Sequence, residues 1–182
     1  VYKNFISVDI SKKWFTNNLF FIKSHLANKN IKNILEIGSY EGRSAIFFIN
    51  LFDNAKITCV DTWVGSDEHN KDNFNQIEKN FDRNVRSITD SEKLNKYKST
   101  SDLFFKKNSQ FFDLIYVDGD HSGEQVLRDL NNSWSFLNKN GFLLIDDYMW
   151  WFYKDLKKNP ATSVNFFINN NKSEIKNLTI WH

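Results

Sequence analysis

The chain has 182 residues, 41% hydrophobic and 16% aromatic, with 24 Lys and Arg set against 22 Asp and Glu. That length suits one ordinary domain, and the apolar content excludes wholesale disorder. The near balance of charge argues against dedicated nucleic-acid binding, which needs a concentrated basic field, and a single cysteine, Cys59, excludes an internal disulfide and a cysteine-based zinc site.

No apolar stretch reaches transmembrane length and no signal peptide opens the chain, so a cytoplasmic protein without a membrane partner is expected. The absence of an initiator methionine suggests a trimmed start. Ser11 to Asn28 reads as an amphipathic helix, with Phe15, Leu19, Ile22 and Leu26 at helical spacing. Ile31 to Ile37 reads as a short buried strand. The turn Gly38-Ser39-Tyr40-Glu41-Gly42 follows, then a helix carrying Ala45, Ile46, Ile49 and Phe52. Lys56 to Val60 is the next strand and ends in Asp61. Thr62 to about Asn73 is polar loop, in which His69 reads as a surface histidine. Phe74, Ile77 and Phe81 mark a further helix, Leu94 to Ser99 a weak strand, and Ser101 a candidate helix cap. Phe111 to Val117 is a strong strand. Ser122 caps a long helix carrying Val126, Leu130, Trp134 and Leu137. Gly141 to Ile145 is another apolar strand. Asn159-Pro160 opens a helix with proline at its first position, and Ile175 to Trp181 reads as a final strand.

Alternating strands and helices imply an α/β fold: a Rossmann-like three-layer sandwich with a mostly parallel, doubly wound sheet. In such sheets the ligand lies beyond the carboxyl ends of the strands, where the strand order reverses. Four strand ends carry the candidates. Gly38 and Gly42 permit a tight turn close to a ligand, but do not reproduce the G-x-G-x-x-G nicotinamide fingerprint. Asp61, at the next strand end, is a candidate to accept from ribose hydroxyls, with a loop cap as the alternative. Asp118, Asp120 and His121 follow the third strand, and Asp146 and Asp147 the fourth. Asp118, Asp146 and Asp147 together suit Mg²⁺, with simple strand-end capping as the alternative.

These residues resemble a class I S-adenosylmethionine-dependent methyltransferase, especially methyltransferase domain group 24 and the macrolide-sugar O-methyltransferases. The resemblance rests on ILEIGSYEG, ITCVDTW, FDLIYVDGDHSGEQVLRDL and GFLLIDDY, in that order. It implies that Glu36, Gly38, Ser39 and Gly42 surround the methionine end of the cofactor and that Asp61 binds its ribose. Trp63, Thr100 and Ser101 fall where adenine contacts are common, although core packing explains Trp63 equally well. Asp118, Asp146 and Asp147 match the metal-binding acids of the divalent-metal-dependent members. The implied domain covers 1–182, with an N-terminal extension to residue 30, a cofactor-binding and catalytic core over 31–150, and a C-terminal helix and strand over 151–182 lacking a complete terminal hairpin.

The expected reaction moves a methyl group to a hydroxyl of a small, sugar-like acceptor, with Mg²⁺ beside the oxygen and His121 taking the proton. Asp120 is the second-choice base. The aromatic run Tyr148 to Tyr153 offers faces to an acceptor ring, or else packs against the N-terminal helix. A homodimer is compatible with the sequence. A metal-independent methyltransferase, a nicotinamide-binding protein and a non-catalytic Rossmann-like protein are the alternatives.

Overall fold

Five segments become strands: β1 (Asn33–Ile37), β2 (Lys56–Asp61), β3 (Leu94–Lys98), β4 (Phe112–Val117) and β5 (Leu137–Ile145). A 3-10 turn at Trp14–Asn18 leads into helix α1 (Leu19–Leu26). The others are α2 (Arg43–Leu51), α3 (Phe74–Arg86), α4 (Ser101–Lys107), α5 (Gly123–Ser135) and α6 (Pro160–Asn171). The structure, a computed structural model, describes residues 11–12, 14–66, 73–86 and 91–180.

The strand order is β3-β2-β1-β4-β5 and every pairing is parallel. The chain steps outward from β1 to β3, then returns to lay β4 against the other side of β1, with Ile34 opposite Leu114 and Ile37 opposite Val117. That reversal opens a crevice above the carboxyl ends of β1 and β4. β1 and β4 are thus parallel neighbours beneath it.

Side chains of the central strands alternate between two buried faces, which is why β1, β2 and β4 are mostly apolar, while the edge strand β3 is polar and largely exposed. Ile34, Ile57, Cys59, Leu114 and Tyr116 pack with α1, α2 and α3. Leu35, Ile37, Val60, Ile115 and Val117 pack with α4, α5 and α6. At one edge β3 carries Lys96, whose Nζ lies 2.9 Å from Glu78 and 2.8 Å from Asp82 on α3.

Several boundaries differ from expectation. The N-terminal helix is broken into the 3-10 turn and α1, meeting at Asn18 and Leu19. The cap of α4 is Thr100, whose Oγ1 accepts from Leu103 N–H at 3.2 Å; Ser101 is already inside the helix. Ser122 precedes α5 without a side-chain cap bond. β5 begins at Leu137 rather than Gly141, because Asn140, at φ +65°, turns the chain within the strand and the register against β4 shifts there. The final strand does not form over Ile175–Ile180. Its apolar residues, Ile175, Leu178 and Ile180, lack the period-two spacing that would place them on one sheet face. Trp181, His182 and His69 lie outside the described residues.

Candidate active site

The loop between β1 and α2 is held by its neighbours. Gly38 N–H donates to Val60 O at 2.9 Å, and Asp118 N–H to Ile37 O at 2.8 Å, so the ends of β2, β1 and β4 are knitted together. Gly38 sits at φ +86°, and a Cβ on it would lie 1.8 Å from the Asp118 carbonyl oxygen. Asp61 braces the same loop. Its Oδ2 accepts from the N–H groups of Ser39 and Tyr40, each at 2.9 Å, and its Oδ1 from Trp63 N–H at 2.7 Å. A carboxylate offers about four acceptor positions. Three serve the backbone, which leaves room on Oδ1 for one further hydroxyl rather than two.

Glu36 lies beneath this loop, fully buried on the α2 side of the sheet. Ser39, Ser44 and Cys59 stand close to it, yet neither carboxylate oxygen has a partner at hydrogen-bonding geometry. Burial pushes its pKa from 4.5 up to about 7; the nearby Ser and Cys groups offset part of that rise. The folded protein therefore keeps this proton up to about pH 7, whereas the unfolded chain releases it near 4.5. Stability from this group is present at low pH and declines as pH rises from about 4.5 to about 7, by roughly 3 kcal/mol in all. Urea melts of wild type and Glu36→Gln should diverge with pH. The variant should become the more stable protein at pH 8, with the difference gone by pH 4. Parallel curves across that range would remove Glu36 from the titration.

Further along the crevice, Ser101 Oγ accepts from Gln125 Nε2 at 3.1 Å, and the same nitrogen donates to Asp129 Oδ1 at 2.9 Å. Burial pushes Asp129 up to about 6. Thr100, Ser101, Gln125 and Asp129 all border the crevice. Trp63 does not. It is buried against Phe81, at a ring separation of 4.9 Å, and its Nε1–H donates to Tyr40 O at 2.9 Å. Trp63 thus supports the loop from the core, the alternative left open for it.

The acids at the ends of β4 and β5 are linked through His121 and the Tyr116 hydroxyl. His121 Nε2 lies 3.1 Å from Asp147 Oδ2 and 3.6 Å from Asp118 Oδ1, and one ligand atom from each of these three residues falls within 4.8 Å of the others. Asp146 stands beside this group: the Tyr116 hydroxyl reaches both its Oδ2 and Asp118 Oδ2, the latter at 3.1 Å, and Asn18 Nδ2 donates to Asp146 Oδ2 at 2.7 Å. Asp147 reaches this group from a left-handed backbone, φ +54°. Burial, with Asp146 and Asp147 adding to it, pushes the Asp118 carboxyl well above its usual range, although 27% of its side chain remains exposed. Asp120 is spent locally, its Oδ1 accepting from Ser122 N–H at 2.7 Å. The Trp150 ring stands 5.1 Å from the His121 ring and stacks on Phe152.

Gly38, Ser39, Asp61, Asp118, His121 and Asp147 border one cleft of about 990 Å³, with the Asp61-braced loop at one end and His121 at the other, whereas Glu36 and Gly42 lie behind its lining. Three contributors were not legible as site residues. Tyr116 is a single hydroxyl in an apolar strand, Glu41 an ordinary acid between the glycines, and Asn18 one of many asparagines.

Residues 35–148 match the family model described as a methyltransferase domain. An uncharacterised protein of Acanthamoeba polyphaga mimivirus is 26% identical over 142 residues, which cover 71% of this chain and 58% of that protein. An O-methyltransferase from Bacillus cereus, solved in complex with S-adenosylhomocysteine, superposes with a TM-score of 0.64 at 14% identity, over 95% of this chain and 74% of that one. The S-adenosylhomocysteine-bound methyltransferase PaMTH1 of Podospora anserina gives 0.61 at 16% identity, over 94% and 74%. These likenesses show the fold, and the matched model covers well over half the chain. The chain belongs to the methyltransferase-domain family and has the Rossmann-like architecture of the class I S-adenosylmethionine-dependent enzymes.

Proposed function

We propose that this domain transfers the methyl group of S-adenosylmethionine to a hydroxyl of a small, sugar-like acceptor, assisted by a divalent cation such as Mg²⁺. The observation that carries this reading is the single cleft joining the Asp61-braced loop to the Asp118–His121–Asp147 group. Cofactor-bound methyltransferases of the same fold support it.

In this assignment the methionine end of the cofactor lies against Gly38, Ser39 and Gly42, above the buried carboxyl of Glu36. Asp61 takes one ribose hydroxyl, and adenine lies toward Thr100 and Ser101. The loop is braced before the cofactor arrives, so little ordering is left for binding, and orientation of the two reactants supplies much of the rate. At the other end, the Asp118 and Asp147 carboxylates, with Asp146 sharing the Tyr116 hydroxyl beside Asp118, would offer oxygen donors to a divalent cation and leave the His121 imidazole to the proton. Such an ion lowers the pKa of a hydroxyl bound to it. His121, held by Asp147 and Asp118, stands where it can receive the acceptor proton, a step worth about 10²–10⁴-fold. Trp150 backs the imidazole, and with Tyr148 and Met149 borders the same end of the cleft, offering apolar surface to an acceptor ring.

The test follows S-adenosylhomocysteine production with a panel of sugar glycosides. Exhaustive chelation should abolish turnover, leave calorimetric binding of S-adenosylhomocysteine intact, and be reversed by Mg²⁺. His121→Ala should depress the rate about a hundredfold or more. Turnover that survives chelation removes the cation and leaves methyl transfer in place. Failure to bind S-adenosylhomocysteine removes both.

A further inference from the structure

The start of the described chain borders the cleft. Lys12, Phe15 and Asn18 face it together with Gly38, Ser39 and Asp61. Three attachments hold this stretch in place. In the middle, Phe15 packs edge-on against Phe47, Phe48 and Tyr116, at ring separations of 5.4, 6.0 and 5.8 Å. At the far end Asn18 reaches Asp146. At the near end is Glu41, a residue of the glycine loop that is only 2% exposed. Its Oε2 accepts from Ser11 N–H at 2.6 Å and from Ser11 Oγ at 3.0 Å, and its Oε1 from Asn80 Nδ2 at 2.7 Å. Asn84 Nδ2 also donates to the Glu41 carbonyl at 3.0 Å.

The carboxylate thus has two functions. Through Asn80 it fixes the loop to α3, within the fold. Through Ser11 it fixes an exposed residue of the strap across the crevice. Hydrogen bonds to a charged, water-poor acceptor are the stronger kind, and here Ser11 makes two of them, from its N–H and its hydroxyl. The loop carrying Glu41 is also the loop assigned to the methionine end of the cofactor.

We propose that Glu41 is a cofactor-retention residue: through Ser11 it latches the N-terminal strap over the methionine end of S-adenosylmethionine, and the strap lifts for the cofactor to exchange. This rests on placing the cofactor at the Gly38–Asp61 end of the cleft. Glu41 acts by positioning and takes no part in the transfer.

The probe is S-adenosylhomocysteine, followed by stopped-flow dissociation and by amide hydrogen exchange. Ser11→Pro removes both donors to Oε2 at an exposed position and leaves Glu41 untouched. It should speed dissociation about tenfold while association is unchanged or faster. Glu41→Gln should act in the same direction. Bound S-adenosylhomocysteine should slow exchange in the turn Trp14–Asn18 of the wild type, and this protection should vanish in Ser11→Pro. Asn80→Ala removes the other half of the contacts of the same carboxylate. It should lower the melting temperature yet leave dissociation near the wild-type rate, a separation that a merely structural Glu41 would not produce. Equal dissociation from wild type and Ser11→Pro, or no ligand-dependent protection of the turn, overturns the latch while cofactor binding stands. A wild type that binds no S-adenosylhomocysteine overturns the cofactor assignment and the latch with it.

Discussion

Gly38→Ala is expected to lose the folded, cofactor-binding protein rather than merely weaken it. The added methyl carbon would sit 1.8 Å from the Asp118 carbonyl oxygen and 2.5 Å from the attached carbon, both backbone atoms. No rotamer change relieves that overlap, so the ends of β1 and β4 must part, breaking the Asp118 N–H to Ile37 O bond. The left-handed φ of +86° adds its own penalty for any residue with a side chain. Together these place the cost among the exceptional substitutions, about 4 kcal/mol or more. Gly42→Ala is the matched comparison. It also has positive φ, but the added carbon would meet only the Phe81 and Val85 side chains, at 3.0 and 3.2 Å, which can give way. It should cost about 1 kcal/mol, with cofactor binding retained. Urea denaturation of the two variants, with S-adenosylhomocysteine titrated into whichever folds, decides the matter. Equal stability would mean that the β1–β4 junction is softer than this geometry allows.

Asp61→Ala should weaken S-adenosylhomocysteine binding by a hundredfold or more and also cost stability. Three backbone N–H groups, from Ser39, Tyr40 and Trp63, lose their acceptor in a partly buried site. Each such loss is worth on the order of 1–3 kcal/mol unless water enters. The ligand meanwhile loses a charge-assisted hydroxyl contact. Asp61→Asn separates the two roles, because an amide keeps one good acceptor oxygen but places an NH₂ where the second stood. If that oxygen faces Ser39 and Tyr40, two of the three loop bonds survive, while Trp63 N–H loses its acceptor and the ribose contact changes sign. Calorimetry should then show weakened binding with a smaller loss of stability than in Asp61→Ala. Undiminished affinity in both variants would show that Asp61 serves the loop alone.

β1, β2 and β4 were readable because each is a short, mostly apolar run, as parallel strands buried on both faces demand, whereas the edge strand β3, LNKYK, left only a weak mark. The candidates after those strands were readable for the same reason: a carboxylate at a strand end stands out against apolar neighbours. What side chains do with one another across the crevice was not readable. Asp146 and Asp147 look alike in sequence, yet the Tyr116 hydroxyl and Asn18 claim the first. Asn18 lies 128 positions away and bears no local mark. The expected last strand failed because apolar content was read without its spacing. The early start of β5 escaped notice because Asn138 to Asn140 reads as turn and is absorbed as an irregularity within the strand.

The left-handed backbone of Asp147 has a consequence for anyone who sets out to make this protein more robust. In an extended chain, consecutive side chains diverge, and Asp146 already points toward Tyr116. The turn at φ +54° brings Asp147 back toward Asp118 and His121. That backbone conformation carries strain for any side chain, of order 1 kcal/mol even for a tolerant residue such as aspartate. Asp147→Gly relieves it. A selection for heat resistance alone would therefore favour glycine here, and each clone it enriched would have traded a carboxylate of the candidate cation group for a more relaxed turn.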